Sequence, residues 1–230
     1  MNTQAIAIFV KTPGLSSVKT RLAATTHPQF AKEFYLYLLQ VTKEIVEEAV
    51  RQSPQITPYW AVAEENGLSS PLWKDFNTVW QGEGSLGDRL SCIYEQLQKK
   101  HQMVSLIGAD APLLTASHLE KAFMVLKHKL NNKEKKHFVI GPAKDGGFYL
   151  LAGSSKIPKQ VWTNVQYSQS NTAADLIAHL SHFGEILKLD ELTDVDTKED
   201  LFSLRSNFNP QNHFLDKQKT LLKWIEDYTR

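Results

Sequence analysis

The sequence predicts an α/β fold, built on one doubly wound and mostly parallel sheet. Short apolar runs of strand length alternate along the chain with longer stretches of helical period. The chain has 230 residues, of which 42% are hydrophobic, so it is long enough to bury a substantial core. Polar and glycine-rich segments directly follow several predicted strands, which is typical of α/β proteins that bind ligands beyond their strand ends.

The first strand and the first two helices carry the clearest patterns. Residues 5–10 form an unbroken apolar run that stops at Lys-Thr-Pro-Gly, which predicts a central strand buried on both faces. Residues 29–50 carry apolar groups every three or four positions, which predicts a helix. A second helix is predicted over 86–100, where Ser85 as N-cap and Asp88 resemble a capping box.

The same criteria predict the remaining elements in order. Further strands are expected at 56–63, 78–80, 103–107, 137–140, 147–151 and 185–189. Further helices are expected at 116–130, 171–181, 196–204 and 214–228, with a polar connector at 131–136. No linker or internal repeat divides the chain, so we expect a single domain over 1–230.

Composition excludes several classes of protein. The net charge of +1 provides no broad basic field for nucleic acid. No apolar run approaches the roughly 20 residues that span a bilayer, so we expect no membrane insertion. The N-terminus lacks a signal peptide and the lone Cys92 cannot form an internal disulfide, which together indicate a cytoplasmic protein.

Three cations follow the first strand within one short segment. Lys11, Lys19 and Arg21 lie on a loop that runs into a helix, and a free helix N-terminus with nearby cations suits phosphate. The alternative is an ordinary turn and helix start with surface cations. The segment therefore predicts a phosphate-binding loop at the end of the first strand.

Acidic residues follow two other strands. Asp110 comes directly after the strand at 103–107, where a metal-bound phosphate would lie, although a cap or turn residue is the alternative. Asp194 and Asp196 fall on one side of an extended segment, so one of them can share a metal with Asp110. The other, or Thr197, can cap the helix that follows.

Two glycine-rich segments complete the set. Residues 141–149 contain Asp145-Gly146-Gly147, which can be a structural hairpin turn or a place where backbone approaches a ligand while Asp145 accepts hydroxyl groups. Residues 81–89 are glycine-rich and can lie against a base or a sugar. The chain has neither a Gly-x-Ser-x-Gly elbow nor His-Glu-x-x-His, so we expect neither a hydrolase with a serine nucleophile nor a zinc hydrolase.

Taken together and in order, these motifs resemble the DUF2064 family, whose members are described as glycosyltransferase-like or similar to 2-phospho-L-lactate guanylyltransferase. The resemblance rests on Lys-x-Pro-x-x-x-x-Val-Lys-Thr-Arg-Leu, Gln-Gly-x-Gly-x-Leu-Gly-x-Arg, Ile-Gly-x-Asp-x-Pro, Gly-Pro-x-x-Asp-Gly-Gly-Phe-Tyr-Leu and Asp-Val-Asp-Thr-x-x-Asp-Leu. It covers residues 5–205 and leaves a helical extension at 206–230.

The resemblance implies a GT-A-like, Rossmann-like α/β/α sandwich with a mixed, mainly parallel sheet that holds a nucleotide and Mg²⁺ or Mn²⁺. It implies catalytic roles for Lys19 and Asp110, and metal binding by Asp110 together with Asp194 or Asp196. The residues implied to bind nucleotide or phosphate are Lys11, Gly14, Lys19, Arg21, Gly82, Gly84 and Arg89, and those for substrate are Asp145, Gly146 and Gly147. The chain departs from the family in having Ser16 where glycine is usual, and Gly14 is expected to supply the flexibility there.

The sequence is compatible with three candidate functions. The first is a metal-dependent nucleotidyltransferase, which transfers a nucleotidyl group from an NTP to a small phosphate- or hydroxyl-bearing acceptor. The second is a glycosyltransferase that uses a nucleotide-sugar, and the third is a non-catalytic nucleotide-binding module, which Ser16 supports. The dense cationic loop and the absence of Asp-x-Asp on the central strand favour the first, because a triphosphate needs more cationic charge than a diphosphate.

Overall fold

Seven strands form one mixed sheet in the computed structural model, which describes residues 3–130, 136–207 and 214–228. They are β1 (Gln4–Val10), β2 (Ile56–Val62), β3 (Asn77–Trp80), β4 (Met103–Gly108), β5 (His137–Pro142), β6 (Phe148–Gly153) and β7 (Glu185–Lys188). The strand order is β3-β2-β1-β4-β6-β5-β7. Only β6 runs against its neighbours β4 and β5 among the strands of the described ranges, so the predicted mixed and mainly parallel sheet is confirmed.

Strand β1 lies one position from the middle strand and pairs on both sides. Ala7 is in register with Tyr59 of β2 and with Leu106 of β4, and both pairings are parallel. Side chains alternate across the sheet: Ile6 and Ile8 join one apolar cluster and Ala7 joins the other. The prediction of a strand buried on both faces and near the sheet centre is confirmed.

Helices cover both faces of the sheet. In chain order they are α1 (Thr20–Thr25), α2 (Pro28–Gln52), α3 (Leu86–Gln98), α4 (Ala116–Leu130), α5 (Lys159–Thr163), α6 (Thr172–Ser181), α7 (Lys198–Asn207) and α8 (Asp216–Tyr228). Apolar residues of α1, α2, α4, α7 and α8 pack on the first face, which carries Ile6 and Ile8. Those of α3, α5 and α6 pack on the second face, which carries Ala7.

The predicted elements are present, with ends that differ by a few residues, and four short ones were not predicted. These are α1, α5 and two 3₁₀ turns at Glu65–Gly67 and Pro71–Trp73, which are too short to show a helical period. Helix α7 begins at Lys198 and not at residue 196. Most of the predicted connector, 131–135, lies outside the described residues.

Helix α8 packs its aromatic face against α2. Trp224 stacks on Phe30 at a ring-centroid distance of 4.7 Å, and Tyr228 stacks on Phe30 at 3.9 Å. Aromatic pairs of this kind stabilise by about 0.5–1.5 kcal/mol beyond the area they bury. None of the helices in the described ranges is both long and apolar enough to cross a bilayer.

Candidate functional site

A cleft of about 630 Å³ lies at the carboxyl ends of the parallel strands. The segments predicted to carry chemistry follow β1, β3, β4, β5 and β7, and β6 begins at the same edge because it runs in the opposite direction. The predicted residues that line the cleft are Lys11, Lys19, Arg21, Gly84, Arg89, Asp110, Asp145, Gly147, Asp194 and Asp196. Gly14, Gly82 and Gly146 are not among the lining residues.

Lys19 lies between two of the predicted metal-binding carboxylates. Its Nζ is 2.6 Å from Asp110 Oδ1 and 2.8 Å from Asp196 Oδ1, and it donates a hydrogen bond to the Val195 carbonyl at 2.7 Å. The side chain is 3% exposed. Burial alone would lower the pKa of Lys19, but the Asp110 and Asp196 carboxylates raise it above its ordinary value. The ammonium group therefore stays charged. Its three N–H donors face Asp110, Asp196 and the Val195 carbonyl.

The backbone of Lys19 is in the left-handed region, with φ 48° and ψ 48°, and it immediately precedes α1. This conformation is unfavourable by about 1–2 kcal/mol for a residue with a Cβ atom. It persists because the surrounding contacts outweigh the strain, and such residues are common at functional sites.

The loop that carries Asp110 is held from two directions. The Val195 N–H donates to the Asp110 carbonyl at 3.1 Å, which joins this loop to the segment after β7. Gln218 of α8 is 1% exposed, and its Nε2 donates to the carbonyls of Pro112 at 2.8 Å and Leu114 at 3.1 Å. Helix α8, which lies beyond the residues that the family resemblance covers, therefore supports the loop that carries Asp110.

Thr197, and not Asp196, caps helix α7. Its hydroxyl accepts the Asp200 N–H at 3.3 Å, and the Asp200 carboxylate accepts the Thr197 N–H at 2.7 Å. Asp196 is therefore free to face Lys19. Burial would raise the pKa of Asp196, but Lys19 and Arg21 lower it below its usual value.

Asp194 faces a concentration of negative charge. Burial is the main cause that raises its pKa to about 7, and the Asp145, Asp196 and Asp110 carboxylates raise it further. A divalent cation near these groups would offset the repulsion, and carboxylate oxygens are the ligands that Mg²⁺ and Mn²⁺ prefer. No ready-made cluster of three metal-binding side chains occurs within the described residues, so phosphate oxygens would have to complete the coordination.

Arg21 and Lys11, the other two cations predicted in the segment after β1, make different contacts. Arg21 is 61% exposed, and its Nη1 lies 3.6 Å from Asp196 Oδ2. The backbone of Lys11 is fixed by Tyr35, which accepts its N–H at 2.9 Å and donates to its carbonyl at 3.0 Å. The Lys11 side chain remains exposed at the mouth of the cleft.

Gly14 and Ser16 shape the turn that precedes Lys19. Gly14 has φ 97°, the positive value expected of the residue that supplies flexibility. The N–H groups of Leu15 and Ser16 both donate to the Thr12 carbonyl. Burial would raise the pKa of Glu64, but hydrogen bonds from the Ser16 hydroxyl and the Thr12 N–H lower it. Ser16 thus anchors the turn through a side chain that glycine lacks.

The Asp145-Gly146-Gly147 segment is a tight turn as well as a wall of the cleft. The Asp145 carboxylate accepts the Gly147 N–H at 2.7 Å. Gly146 has φ 90°, and a Cβ atom there would lie 1.8 Å from the Ser170 carbonyl oxygen. Gly146 therefore contacts the backbone of a neighbouring segment, and Asp145 and Gly147 are the members of the turn that border the cleft.

The predicted capping box is present in the segment after β3. The Ser85 hydroxyl accepts the Asp88 N–H at 3.2 Å, and Asp88 accepts the Ser85 N–H at 3.1 Å. Asp88 also forms an ion pair with Lys159 at 2.7 Å. Arg89 follows directly and lines the cleft, where its Nε is buried and has no hydrogen-bond partner in the part of the chain that the structure describes.

Sequence reasoning did not identify several other residues of the cleft wall, namely Tyr35, Tyr167, Ser168 and Thr172. Gln81 also lines the cleft, and it is the first residue of the glycine-rich segment predicted at 81–89. Tyr35 lies beside the apolar stripe of α2 and carries no separate signal. Gln81 is 4% exposed, and its Nε2 donates to the carbonyls of Ala61 and Val10 at 2.7 Å and 3.3 Å. Ser168 has φ 61°, which its sequence context does not reveal.

Solved structures with the same architecture support the GT-A-like fold. A protein of Desulfovibrio desulfuricans G20, provisionally described as a nucleotide-diphospho-sugar transferase, is 23% identical over 99% of both chains, with a TM-score of 0.81. A cytidylyltransferase from Leptospira borgpetersenii serovar Hardjo-bovis is 14% identical over 100% of this chain and 96% of its own, with a TM-score of 0.57. The 4-diphosphocytidyl-2C-methyl-D-erythritol synthase of Anaerococcus prevotii is 10% identical over 88% and 94%, with a TM-score of 0.55.

At these identities the similarities establish the fold alone. No curated protein matches the sequence. The family model of DUF2064, described as an uncharacterized protein conserved in bacteria, matches residues 42–169, which is more than half of the chain. This match bears out the resemblance inferred from the ordered motifs, and the chain belongs to the DUF2064 family.

Proposed function

We propose that this protein is a metal-dependent nucleotidyltransferase, which moves a nucleotidyl group from an NTP to a small phosphate- or hydroxyl-bearing acceptor. One observation carries the proposal: Lys19 is buried between Asp110 and Asp196 at the strand edge, with Arg21 beside them. Adjacent cations and carboxylates can bind a polyphosphate and its metal ion together. The cytidylyltransferase structures share the fold and make this chemistry a natural use of it.

The donor set fits Mg²⁺ or Mn²⁺. Asp110, with Asp194 or Asp196, offers hard oxygen ligands. Burial and, to a smaller extent, the neighbouring carboxylates raise the pKa of Asp194, and a cation would offset both effects. When bound, such an ion would supply charge neutralisation for the phosphate groups. Because Lys19 already contacts Asp110 and Asp196, we propose that metal binds weakly until a nucleotide brings further oxygen ligands.

The protein residues then have distinct roles in the transfer. An acceptor oxygen forms a bond to the α-phosphorus while the bond from that phosphorus to the bridging oxygen breaks, and pyrophosphate leaves with the electron pair. If the acceptor is a hydroxyl group, its proton passes to a cleft carboxylate or to water. Lys19 and Arg21 stabilise the negative charge that develops on the departing pyrophosphate, and this charge stabilisation is the main demand of phosphoryl chemistry.

The remaining predicted residues are proposed to position the substrates. Lys11, Gly84, Asp145 and Gly147 all line the cleft. We assign Lys11 and Gly84 to the nucleotide, and Asp145 and Gly147 to the acceptor. Gly14, Gly82 and Gly146 have positive φ angles, so their proposed contribution is to the turns that place these neighbours.

A glycosyltransferase is the second candidate, favoured by the description of the Desulfovibrio desulfuricans protein as a nucleotide-diphospho-sugar transferase. The two candidates differ in the donor. A triphosphate has β- and γ-phosphates for Lys19 and Arg21 to contact, whereas a nucleotide-sugar has two phosphates and an uncharged or weakly charged sugar.

Titration of the wild type and of Arg21→Ala with NMP, NDP, NTP and NDP-sugar tests the proposal, at fixed Mg²⁺ and ionic strength. Loss of one charge-assisted contact should weaken NTP binding by about tenfold to hundredfold, and NMP binding by much less. Arg51→Ala is the matched control, because Arg51 is 73% exposed near the C-terminal end of α2, at the opposite edge of the sheet.

The outcomes separate the candidates. If Arg21→Ala loses no more affinity for NTP than for NDP and NDP-sugar, the result would favour the glycosyltransferase. Failure of the wild type to bind any of these nucleotides would contradict both transferases and leave the non-catalytic module.

A further inference from the structure

Within the described residues, the guanidinium group of Arg89 forms no hydrogen bond or ion pair. Its Nε is buried and makes no hydrogen bond, and within the described residues no carboxylate oxygen lies within ion-pair distance of it. The adjacent Asp88 is occupied by Ser85 and Lys159. Buried hydrogen-bond donors in proteins normally have a partner, because removing a donor from water without compensation is unfavourable. Arg89 is therefore a cation with unused hydrogen-bonding capacity on the wall of the cleft.

Arg89 enters the cleft from the opposite side of the sheet to Lys19 and Arg21. The neighbouring Leu90 packs with the second face of the sheet, whereas Leu22, next to Arg21, packs with the first face. Two cationic groups thus border the same cleft from different layers of the sandwich. The group on the first face is paired with carboxylates, and Arg89 is not.

The surroundings of Arg89 strengthen its attraction for an anion. Among the side chains that line the cleft, Phe9, Leu90 and Phe148 pack with the apolar second face of the sheet. Apolar walls lower the local dielectric, so an ion pair formed there is stronger than one formed in water. An arginine fork can also bind two oxygen atoms of a carboxylate or a phosphate in a defined orientation.

We propose that Arg89 binds a carboxylate or phosphate group of the acceptor, so that the acceptor is an anionic small molecule. This inference rests on the proposed function and narrows its substrate class. The nucleotide phosphates are bound by Lys19 and Arg21 from the first face, and Arg89 holds the second substrate by its anionic end. The reacting oxygen of the acceptor then points toward the carboxylate side of the cleft.

Anion binding to the full chain tests the proposal, with a non-hydrolysable α,β-methylene analogue of the tightest-binding NTP and Mg²⁺ filling the nucleotide side. Inorganic phosphate, glycolate and ethylene glycol are titrated by calorimetry into the wild type, Arg89→Gln and Arg51→Gln. We expect the wild type and Arg51→Gln to bind phosphate and glycolate but not ethylene glycol. Arg89→Gln should weaken both anions by about tenfold or more, while its affinity for the analogue changes less than about threefold.

Two results would overturn the inference. Equal anion binding by the wild type and Arg89→Gln would show that Arg89 holds no anion, and a tenfold loss of analogue affinity in Arg89→Gln would make it a nucleotide contact. If no NTP binds to the wild type, the proposed function fails, but phosphate titration of the unliganded protein still tests Arg89. Arg89→Lys, which keeps the charge without the fork, is the second variant if Arg89→Gln does not fold, and it should bind phosphate better than glycolate.

Discussion

At the scale of single residues, Lys19 has the most consequential position. Its ammonium group lies where the sequence predicts a metal ion, between Asp110 and Asp196. This contact offsets part of the negative charge of the two carboxylates in the absence of ligands, and it joins the loop after β1 to the segment after β7. A metal-nucleotide complex would have to share these carboxylates with Lys19, which explains physically why metal binding should depend on nucleotide.

Replacement of Lys19 should therefore have opposite effects on the two ligands. In Lys19→Met, Asp110 and Asp196 lose their cation, and we expect them to bind Mn²⁺ without nucleotide roughly tenfold more tightly than in the wild type. The affinity for NTP should fall because a phosphate contact is lost. Electron paramagnetic resonance of free Mn²⁺ measures the first effect, and calorimetry the second. Unchanged Mn²⁺ affinity in the variant would indicate that these carboxylates are not a metal site.

His118 provides a pH-dependent contribution to stability. Burial lowers its pKa, and although Asp190 raises it and Lys121 lowers it, the net shift is downward from 6.5. Its Nδ1 accepts the Thr115 N–H at 3.2 Å and must be unprotonated to do so. A histidine with a depressed pKa contributes stability above its unfolded pKa, and this contribution is lost as the pH falls through the folded pKa.

The free energy of unfolding should accordingly fall as the pH drops below about 6.5. His118→Gln retains an acceptor but does not titrate, so part of this decline should disappear. Urea unfolding of the wild type, His118→Gln and the control His128→Gln between pH 5 and 7.5 measures the slopes. His128 is exposed on the same helix, so its variant should follow the wild type. The same slope in all three proteins would show that His118 does not contribute.

At the scale of elements, helix α8 connects the packing of the first face to the site. Its aromatic residues stack on α2, and its Gln218 satisfies two carbonyls of the segment after Asp110. The Gln218 Oε1 also accepts the Leu215 N–H at 3.0 Å, which fixes the start of the helix. The helix is thus a support for the site and not merely a terminal addition.

Gln218→Leu should destabilise the protein by about 1–3 kcal/mol, because it leaves buried carbonyls without donors. Guanidinium unfolding measures this loss, with Lys219→Leu on the exposed side of the same helix as the control. The control should change stability by less than about 0.5 kcal/mol. If Gln218→Leu were as stable as the wild type, water or a rearranged side chain must satisfy those carbonyls.

At the scale of the whole molecule, the site joins parts of the chain that are far apart in sequence. The Lys19 and Asp196 contact spans 177 positions and links the segments after β1 and β7. A ligand that contacts both segments should therefore stabilise the entire fold. At about 100 times its dissociation constant, a ligand that binds only the folded state adds roughly 2.7 kcal/mol.

We expect NTP with Mg²⁺ to raise the unfolding temperature by about 5–10 °C. Asp110→Asn keeps the size of the side chain and removes its charge, so the part of the shift that requires Mg²⁺ should disappear. Thermal unfolding of both proteins with NTP and either Mg²⁺ or EDTA makes the comparison. A full Mg²⁺-dependent shift in Asp110→Asn would reduce Asp110 to a turn residue.

The sequence by itself determined the fold class, most of the elements and the edge of the sheet that carries the polar segments. The apolar run of β1 and the helical period of α2 are local signals, and the polar segments follow strands whose carboxyl ends meet at one edge when the strands are parallel. The capping box at Ser85 and Asp88 is also local, because both partners lie within one helical turn.

Only the tertiary structure decided which of these groups meet. Lys19 meets Asp110 and Asp196, and Gln218 supports the loop after Asp110, because the fold brings distant segments together. The same is true of Arg89, which has no partner within the described residues. Local sequence does not encode these distances. The choice between Asp196 and Thr197 as helix cap was open in the sequence, since both lie at the right position. It was decided by Lys19, a cation that reaches Asp196 across the cleft because parallel strands bring their carboxyl ends together.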